Sequence, residues 1–133
     1  MGSHLHSIDK GNIPIVSSAD DNYAAPLGVM LVSLLENTVN PERMHLFVID
    51  GGISEQKKAI LTHDIRIRHS QITFININRE DYEGFPTSSI ISDATYYRLS
   101  MSDFFDVNIE KVIYLDCDVI VKKDIQILWE IEL

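Results

Sequence analysis

Two carboxylates interrupt the apolar run Val112-Ile113-Tyr114-Leu115-Asp116-Cys117-Asp118-Val119-Ile120-Val121. Residues 112–115 are β-branched, aromatic or aliphatic, a pattern that predicts a buried strand in a parallel or mixed sheet. Ionised Asp116 and Asp118 at the end of such a strand repel each other unless a cation neutralises them. Hard divalent cations such as Mn²⁺ and Mg²⁺ bind carboxylates together with substrate phosphates. The run therefore predicts a metal site that holds a diphosphate, and the alternative is a solvated turn.

The composition fits one globular domain. With 133 residues and 45% apolar content, the chain can bury a core of its own. The net charge of −9 argues against nucleic acid or an anionic membrane surface as a direct partner, because either would require a basic patch. The single cysteine, Cys117, excludes an internal disulfide and is compatible with the cytosol. No apolar run could span a bilayer and no signal peptide is recognisable, so a cytoplasmic location is expected.

Strands and helices are predicted to alternate once residues 1–10, which resemble a leader or tag remnant, are set aside. A polar stretch over 79–89 is long enough to be a functional loop. The alternation indicates an α/β fold with a largely parallel sheet. The predicted strands are 13–16, 44–49, 72–77 and 112–115, and the predicted helices are 23–37, 54–65, 94–105 and 124–129.

Helix 54–65 carries specific expectations. Ser54 should cap its first turn, and Lys57 and Lys58 should point to solvent. Ile60 and Leu61 should point into the core. The expected core face of helix 23–37 consists of Leu27, Met30, Leu31, Leu34 and Leu35.

The ends of the strands are where a ligand is expected. Parallel α/β sheets bind ligands beyond the carboxyl ends of their strands, and the loops 17–23 and 116–118 should meet there. Neither a dinucleotide-binding glycine fingerprint nor a P-loop occurs in the sequence, so neither can hold phosphates through backbone amides. An anionic ligand would need a metal or a few local cations, because the chain as a whole is acidic.

Four motifs follow one another along the chain. They are Ser18-Ala19-Asp20-Asp21-Asn22-Tyr23, Asp50-Gly51-Gly52-Ile53-Ser54, Thr95-Tyr96-Tyr97-Arg98-Leu99 and Tyr114-Leu115-Asp116-Cys117-Asp118, the last running on to Leu128-Trp129. In this order they resemble the family 8 glycosyltransferases, which include bacterial lipopolysaccharide galactosyltransferases and enzymes like general stress protein A, over about residues 13–133. The resemblance implies an A-type glycosyltransferase fold with a Rossmann-like nucleotide-binding half, an Mn²⁺ (or Mg²⁺) site and hexose transfer with retention of configuration.

The resemblance also implies roles for single residues. Asp116 and Asp118 are the implied metal ligands, and Asp116 and the Cys117 backbone are implied to lie near the ribose and sugar. A carboxylate can accept a hydrogen bond from the uracil imide, and a tyrosine face can stack on the base. A metal clamp with a nearby arginine would stabilise the diphosphate leaving group. The other implied donor contacts are Ser18, Ala19, Asp20 and Asn22 in the uridine loop, Tyr23 stacked on the base, and Arg98 at the sugar or phosphate.

Each assignment has a structural alternative. Arg98 could pair with a surface carboxylate such as Asp103, an interaction that contributes little at an exposed site. The histidines outside the leader show no metal-ligand spacing and are expected at the surface. Asp21 is interpreted as a solvated cap. The residues that could be only caps or edge aromatics are Asp20, Asn22 and Tyr23.

The expected function is a retaining, metal-dependent galactosyl- or glucosyltransferase with UDP-galactose or UDP-glucose as donor and a glycan, lipid-linked or protein acceptor. Family domains run well past Trp129, and the remainder normally supplies a histidine ligand and most of the acceptor site. The chain is therefore expected to be an inactive donor-binding part, self-associating or marginally stable, from a parent that is peripheral to the membrane. The alternatives are a non-catalytic nucleotide-binding or interaction module and a haloacid-dehalogenase-type phosphatase.

Overall fold

Four parallel strands carry the fold. The computed structural model describes residues 11–76, 105, 109 and 111–131. Within them the strands lie in the order β3-β2-β1-β4, and every neighbouring pair is parallel. The predicted α/β fold with a largely parallel sheet is confirmed. The strands are β1 (Ile13–Ala19), β2 (Met44–Asp50), β3 (Gln71–Asn76) and β4 (Ile113–Tyr114).

Within the described residues, three helices lie close to their predicted bounds. They are α1 (Ala24–Glu36), α2 (Glu55–Arg66) and the four-residue α3 (Gln126–Trp129). Short 3₁₀ turns, Asp21–Tyr23 and Pro41–Arg43, precede α1 and β2. Predictions for the leader, for the loop 79–89 and for the helix 94–105 up to residue 104 lie outside the described residues, and Arg98 lies there with them.

The two faces of the sheet carry separate apolar clusters, because side chains alternate along a strand. On one face, Ile15 of β1 and Leu46 of β2 pack under α1 and α2. On the other face, Val16 and Phe47 pack with Phe105, whose ring meets that of Phe47 edge to face at 4.9 Å. The five residues predicted for the core face of α1 are all buried: Leu27, Met30, Leu31, Leu34 and Leu35.

Two expectations for α2 are wrong. Leu61 and Ile65 are four residues apart and form the buried stripe of α2, so Ile60 falls beside that stripe and is 58% exposed. Lys58 does not point to solvent, because its ammonium pairs with Asp50 and lies 5.6 Å from the centre of the Phe74 ring. The predicted cap is confirmed, since Ser54 Oγ accepts a hydrogen bond from the Lys57 amide at 3.3 Å.

Two strands, β1 and β4, differ from their predicted lengths by more than the single residue by which β2 differs. β1 continues to Ala19, because the central strand pairs with β2 through the Ala19–Asp50 register and buries Ser17 and Ser18 despite their polarity. β4 is limited to two residues, with one further backbone bond from the Leu115 amide to the Val16 carbonyl at 2.9 Å. The acidic turn then ends the strand, as the sequence predicts.

Candidate functional site

The carboxyl ends of β1 and β4 bring the two predicted loops to one edge of the sheet. The strands run parallel with Ile15 opposite Ile113 and Val16 opposite Tyr114. Residues 20–23 therefore leave β1 beside the point where residues 116–118 leave β4. This is the crevice in which ligands of open α/β sheets bind.

The acidic turn presents both of its carboxylates to solvent. Asp116 and Asp118 are exposed, and the Val119 amide closes the turn on the Asp116 carbonyl at 3.4 Å. The Cys117 side chain between them is half-buried and packs against the core under the helices. Within the part of the chain that the structure describes, neither carboxylate forms an ion pair. The cysteine therefore anchors a turn whose oxygen atoms remain accessible.

The electrostatics of Cys117 connect the two loops. Burial raises the pKa of its thiol, and the negative charges of Asp118, Asp116 and Asp20 raise the pKa further. Asp20 belongs to the other loop, so its carboxylate lies within electrostatic range of the acidic turn. The negative charge of these carboxylates favours a cation at this edge of the sheet and disfavours a thiolate.

The loop after β1 is fixed by a cap and leaves its aromatic ring open. Asp20 Oδ1 accepts the Tyr23 amide at 3.1 Å, so Asp20 does cap the 3₁₀ turn. That cap uses one carboxylate oxygen. Asn22 is exposed, and Tyr23 is 36% exposed at the start of α1. The cap alternative for Asp20 is thus correct structurally, and it is compatible with a ligand contact through the second oxygen.

Asp21 is more than the solvated cap that the sequence suggested. Its Oδ1 accepts the Ser54 amide at 3.0 Å, and its Oδ2 pairs with Lys57 Nζ at 2.9 Å. The Ser54 amide and the Lys57 ammonium lower the pKa of the Asp21 carboxyl. Asp21 therefore ties the loop after β1 to the first turn of α2, a link between elements that local sequence could not reveal.

Ser18 and Ala19 belong to β1 rather than to the loop. Ser18 Oγ lies 2.7 Å from Tyr114 Oη on the neighbouring strand β4. The Ala19 carbonyl accepts the Gly51 amide at 2.8 Å, which joins the ends of β1 and β2. Both residues are buried, and the hydrogen bonds described for them join neighbouring strands of the sheet.

The second motif of the sequence builds a rigid turn after β2. Asp50 Oδ1 accepts the amides of Gly52 and Ile53 at 2.8 and 2.7 Å, and its other oxygen pairs with Lys58. Gly52 has φ +120°, a conformation that only glycine adopts without strain. This motif therefore holds the start of α2 in place beside the candidate site.

The acidic turn is also held on its downstream side. The Val121 amide donates to Ser33 Oγ at 2.9 Å, and Asn37 Nδ2 donates to the Val121 carbonyl at 2.9 Å. Ser33 and Asn37 lie at the end of α1, so α1 fixes the segment that follows Asp118. The roles of Ser33, Asn37 and Tyr114 could not be predicted from the sequence, because they depend on pairing between segments more than 80 residues apart.

The donor set fits a hard divalent cation with open positions. Among the described residues, no group of three or more His, Cys, Asp or Glu side chains could hold a metal ion. Mn²⁺ and Mg²⁺ are nevertheless commonly bound by one or two carboxylates plus waters and phosphates. Asp116 and Asp118 offer two exposed carboxylates one residue apart. Such a pair suits a cation that completes its coordination with a phosphate ligand.

Solved structures with the same fold are glycosyltransferases. The galactosyltransferase LgtC, solved in complex with donor and acceptor sugar analogs, is 37% identical with a TM-score of 0.75, and the match covers 90% of this chain and 43% of LgtC. The bifunctional glycosyltransferase WbbM is 25% identical with a TM-score of 0.76 over 97% of this chain and 22% of WbbM. The predicted A-type glycosyltransferase fold is confirmed.

Sequence relatives narrow this class to one family. The model of glycosyl transferase family 8 matches residues 14–133. General stress protein A of Bacillus subtilis is 42% identical over 120 residues, 90% of this chain and 42% of that protein. A putative glycosyltransferase of Haemophilus influenzae is 32% identical over 120 residues, 90% of this chain and 36% of that protein. The chain belongs to glycosyltransferase family 8, and it spans less than half the length of these relatives.

Proposed function

We propose that the chain is the donor-binding part of a retaining, metal-dependent hexosyltransferase that uses UDP-galactose or UDP-glucose. One observation carries the proposal: the exposed carboxylates of Asp116 and Asp118 leave β4 beside the loop that leaves β1. One loop would hold the diphosphate through a cation, and the other would hold the uridine. The site thus has a part for each half of a nucleotide sugar.

Each loop has residues suited to its half of the donor. Asp20 would accept the uracil imide N–H through the oxygen that the cap does not use, and the exposed Tyr23 ring would stack on the base. Asp116 and Asp118 would hold Mn²⁺ or Mg²⁺, which when bound supplies positive charge where the leaving diphosphate develops negative charge. We propose Arg98, which lies outside the described residues, as a further cation at the donor.

For the acceptor and the cellular location, we propose only a chemical class and a compartment. LgtC was solved with an acceptor sugar analog, which supports a glycan acceptor, and a lipid-linked or protein acceptor has the same hydroxyl chemistry. No helix in the described part of the chain is long and apolar enough to cross a membrane. We propose a cytoplasmic protein, where nucleotide-sugar donors would be available.

A non-catalytic nucleotide-binding module is the second candidate. The observation in its favour is that the residues of the two loops would suit nucleotide binding alone as well as nucleotide binding in an enzyme. A transfer assay with the full-length protein separates the candidates, because both bind the donor and only the enzyme consumes it. The phosphatase alternative has no support now that the family is established.

Calorimetric titration with UDP tests the proposed site. UDP is expected to bind in Mn²⁺ and not in EDTA, and Asp118→Asn should abolish the Mn²⁺-dependent binding. Asp64→Asn is the matched control. It also removes one carboxylate charge, but Asp64 lies near the C-terminal end of α2, away from the candidate site, so UDP binding should be unchanged. Equal UDP affinity in Mn²⁺ and EDTA would show that no metal bridges the protein and the diphosphate.

A further inference from the structure

A side-chain hydrogen bond joins β1 to β4 directly below the candidate site. Ser18 Oγ and Tyr114 Oη are 2.7 Å apart. Ser18 is 7% exposed, and the Tyr114 ring packs against the apolar cluster that contains Val16 and Phe47. The bond is therefore partly shielded from water, and a hydrogen bond is electrostatically stronger where water is partly excluded.

The position of this bond is symmetric between the two loops. Ser18 lies two residues before Asp20, and Tyr114 lies two residues before Asp116. Backbone pairing between β1 and β4 is short, with two register pairs and one further amide bond at Leu115. The side-chain bond therefore adds to a short backbone pairing close to the point where each strand leaves the sheet for its loop.

We propose that Tyr114 and Ser18 are positioning residues that set the distance between the Asp20–Tyr23 loop and the Asp116–Asp118 turn. This inference rests on the proposed function, because only a ligand that spans both loops senses their separation. A nucleoside diphosphate is such a ligand, with its base at one loop and its phosphates at the cation of the other. Small displacements of a binding group weaken a ligand that must meet two groups at once.

Tyr114→Phe isolates this effect. The substitution keeps the ring that packs against the second cluster and removes only the hydroxyl that meets Ser18. Loss of one such hydrogen bond is expected to weaken Mn²⁺-dependent UDP binding by about three- to tenfold. The dissociation constant is measured by calorimetry at a temperature at which every variant is folded, so a loss of fold stability alone does not change it.

Thr73→Val is the matched control. Thr73 Oγ1 lies 2.9 Å from His45 Nε2, so this substitution also removes a hydrogen bond between side chains of neighbouring parallel strands. That bond reaches His45 near the start of β2, away from the loops at the carboxyl ends. UDP affinity should be unchanged in Thr73→Val, although its melting temperature is expected to fall.

A double-mutant cycle with Ser18→Ala decides whether the pair acts as a unit. In the Ser18→Ala background, Tyr114→Phe should cause a smaller loss of UDP affinity than it causes in the parent, because its hydrogen bond to Ser18 is already absent. Unchanged UDP affinity in Tyr114→Phe, an equal loss in Thr73→Val, or fully additive losses would overturn the positioning role. Failure of the proposed function differs from all of these, because the unsubstituted chain itself would then not bind UDP in Mn²⁺.

Discussion

Ser17 and Ser18 are neighbours on β1, and their hydroxyls lie in opposite surroundings. Ser18 meets Tyr114, whereas Ser17 Oγ is buried on the helix-covered face without a hydrogen-bond partner among the described residues. A buried hydroxyl without a partner loses its bonds to water and gains nothing in return. Ser17 therefore weakens the folded state relative to an apolar residue of similar size.

We predict that Ser17→Ala stabilises the protein by about 1 kcal/mol, because it removes an unpaired buried hydroxyl and adds no volume. Urea unfolding monitored by circular dichroism measures the change. Ser18→Ala is the matched comparison on the same strand, and it should lower the free energy of unfolding because its hydroxyl is bonded. A Ser17→Ala variant that unfolds at lower urea than the parent would show that the hydroxyl has a partner.

Lys58 forms ion pairs with two carboxylates that differ in exposure. The Asp50 side chain is 6% exposed, whereas the side chain of the second partner, Glu55, is 91% exposed. Burial alone would raise the pKa of Asp50, but Lys58 and the amides of Ile53 and Gly52 lower it below its ordinary 3.8. The bond to Asp50 raises the pKa of Lys58 above 10.5.

These directions fix the pH dependence of the pair. Because the folded pKa of Asp50 lies below 3.8, its contribution is present above that pH and is lost as the pH falls through the folded value. The contribution of Lys58 is present below pH 10.5 and is lost as the pH rises through its raised folded pKa. The pair therefore stabilises the protein throughout the neutral range.

We predict that Asp50→Asn lowers the free energy of unfolding by about 2 kcal/mol at pH 7, because it leaves Lys58 half-buried with only an exposed partner. Glu55→Gln, which removes the exposed partner of the same lysine, should cost less than about 0.5 kcal/mol. Urea unfolding at pH 7 and pH 3 measures both. The cost of Asp50→Asn should shrink at pH 3, and a cost that is equal at both pH values would contradict the assigned titration.

Residue types predicted local contacts well and distant ones poorly. Ser54 was identified as a cap from its residue type and its place at the start of helix 54–65. Lys58 and Asp21 were both assigned to solvent, and each instead pairs with a partner on another element. A charged side chain on a helix reads as exposed unless the packing of the next strand is known.

At the scale of elements, the segment after the acidic turn is hydrogen-bonded to the loop between α1 and β2. Asp124 Oδ2 accepts the Val39 amide at 3.2 Å, and its Oδ1 accepts the Gln126 amide at 3.0 Å. Burial alone would raise the pKa of Asp124, but the Gln126 amide, the Thr38 hydroxyl and the Val39 amide lower it. Asp124 thereby joins the start of α3 to the loop that follows α1.

We predict that Asp124→Ala removes the hydrogen bonds between this segment and the loop after α1 and leaves the sheet intact. Amide hydrogen exchange of residues 119–129 should accelerate. Exchange in β1 and β2 should not change, because these buried strands make no hydrogen bond to Asp124 among the bonds described. Lys123→Ala, at an exposed neighbouring position, serves as the control and should exchange like the parent. Uniform acceleration over the whole chain in Asp124→Ala would indicate that the hydrogen bonds of Asp124 contribute to global stability instead.

Element type was easier to predict than element length. The apolar spacing of α1 gave its five core residues and both ends to within one residue, because periodicity and the helix end are local properties. β1 was predicted too short, because Ser17 and Ser18 look like loop residues unless the flanking strands that bury them are known. The length of β4 likewise depends on a partner strand almost 100 residues away.

At the scale of the whole molecule, sequence predicted which loops meet and not how they are held. The acidic turn and the loop after β1 were expected at one edge of a parallel sheet, and the structure brings them there. The supports of the site, Tyr114 below it and Ser33 with Asn37 beside it, come from tertiary pairing. The roles of the site residues as ligand contacts stay predictions.

The net charge of −9 makes the central claim testable by a single comparison. Nucleotide sugars are anions, and an acidic protein repels them unless a cation lies at the site. Three carboxylates near the candidate site strengthen this requirement. Binding of a nucleotide sugar should therefore depend on the metal, and its base preference should depend on the loop after β1.

The most direct measurement is the melting temperature of the chain with UDP-glucose, UDP-galactose or GDP-mannose, each in Mn²⁺ and in EDTA. Ligands that bind the folded state raise its stability by about 2.7 kcal/mol at a hundredfold excess over Kd. At least one UDP-sugar should raise the melting temperature in Mn²⁺ only, and GDP-mannose should not. An equal shift with GDP-mannose, a shift that persists in EDTA, or no shift with either UDP-sugar would contradict a metal-dependent uridine-diphosphate site.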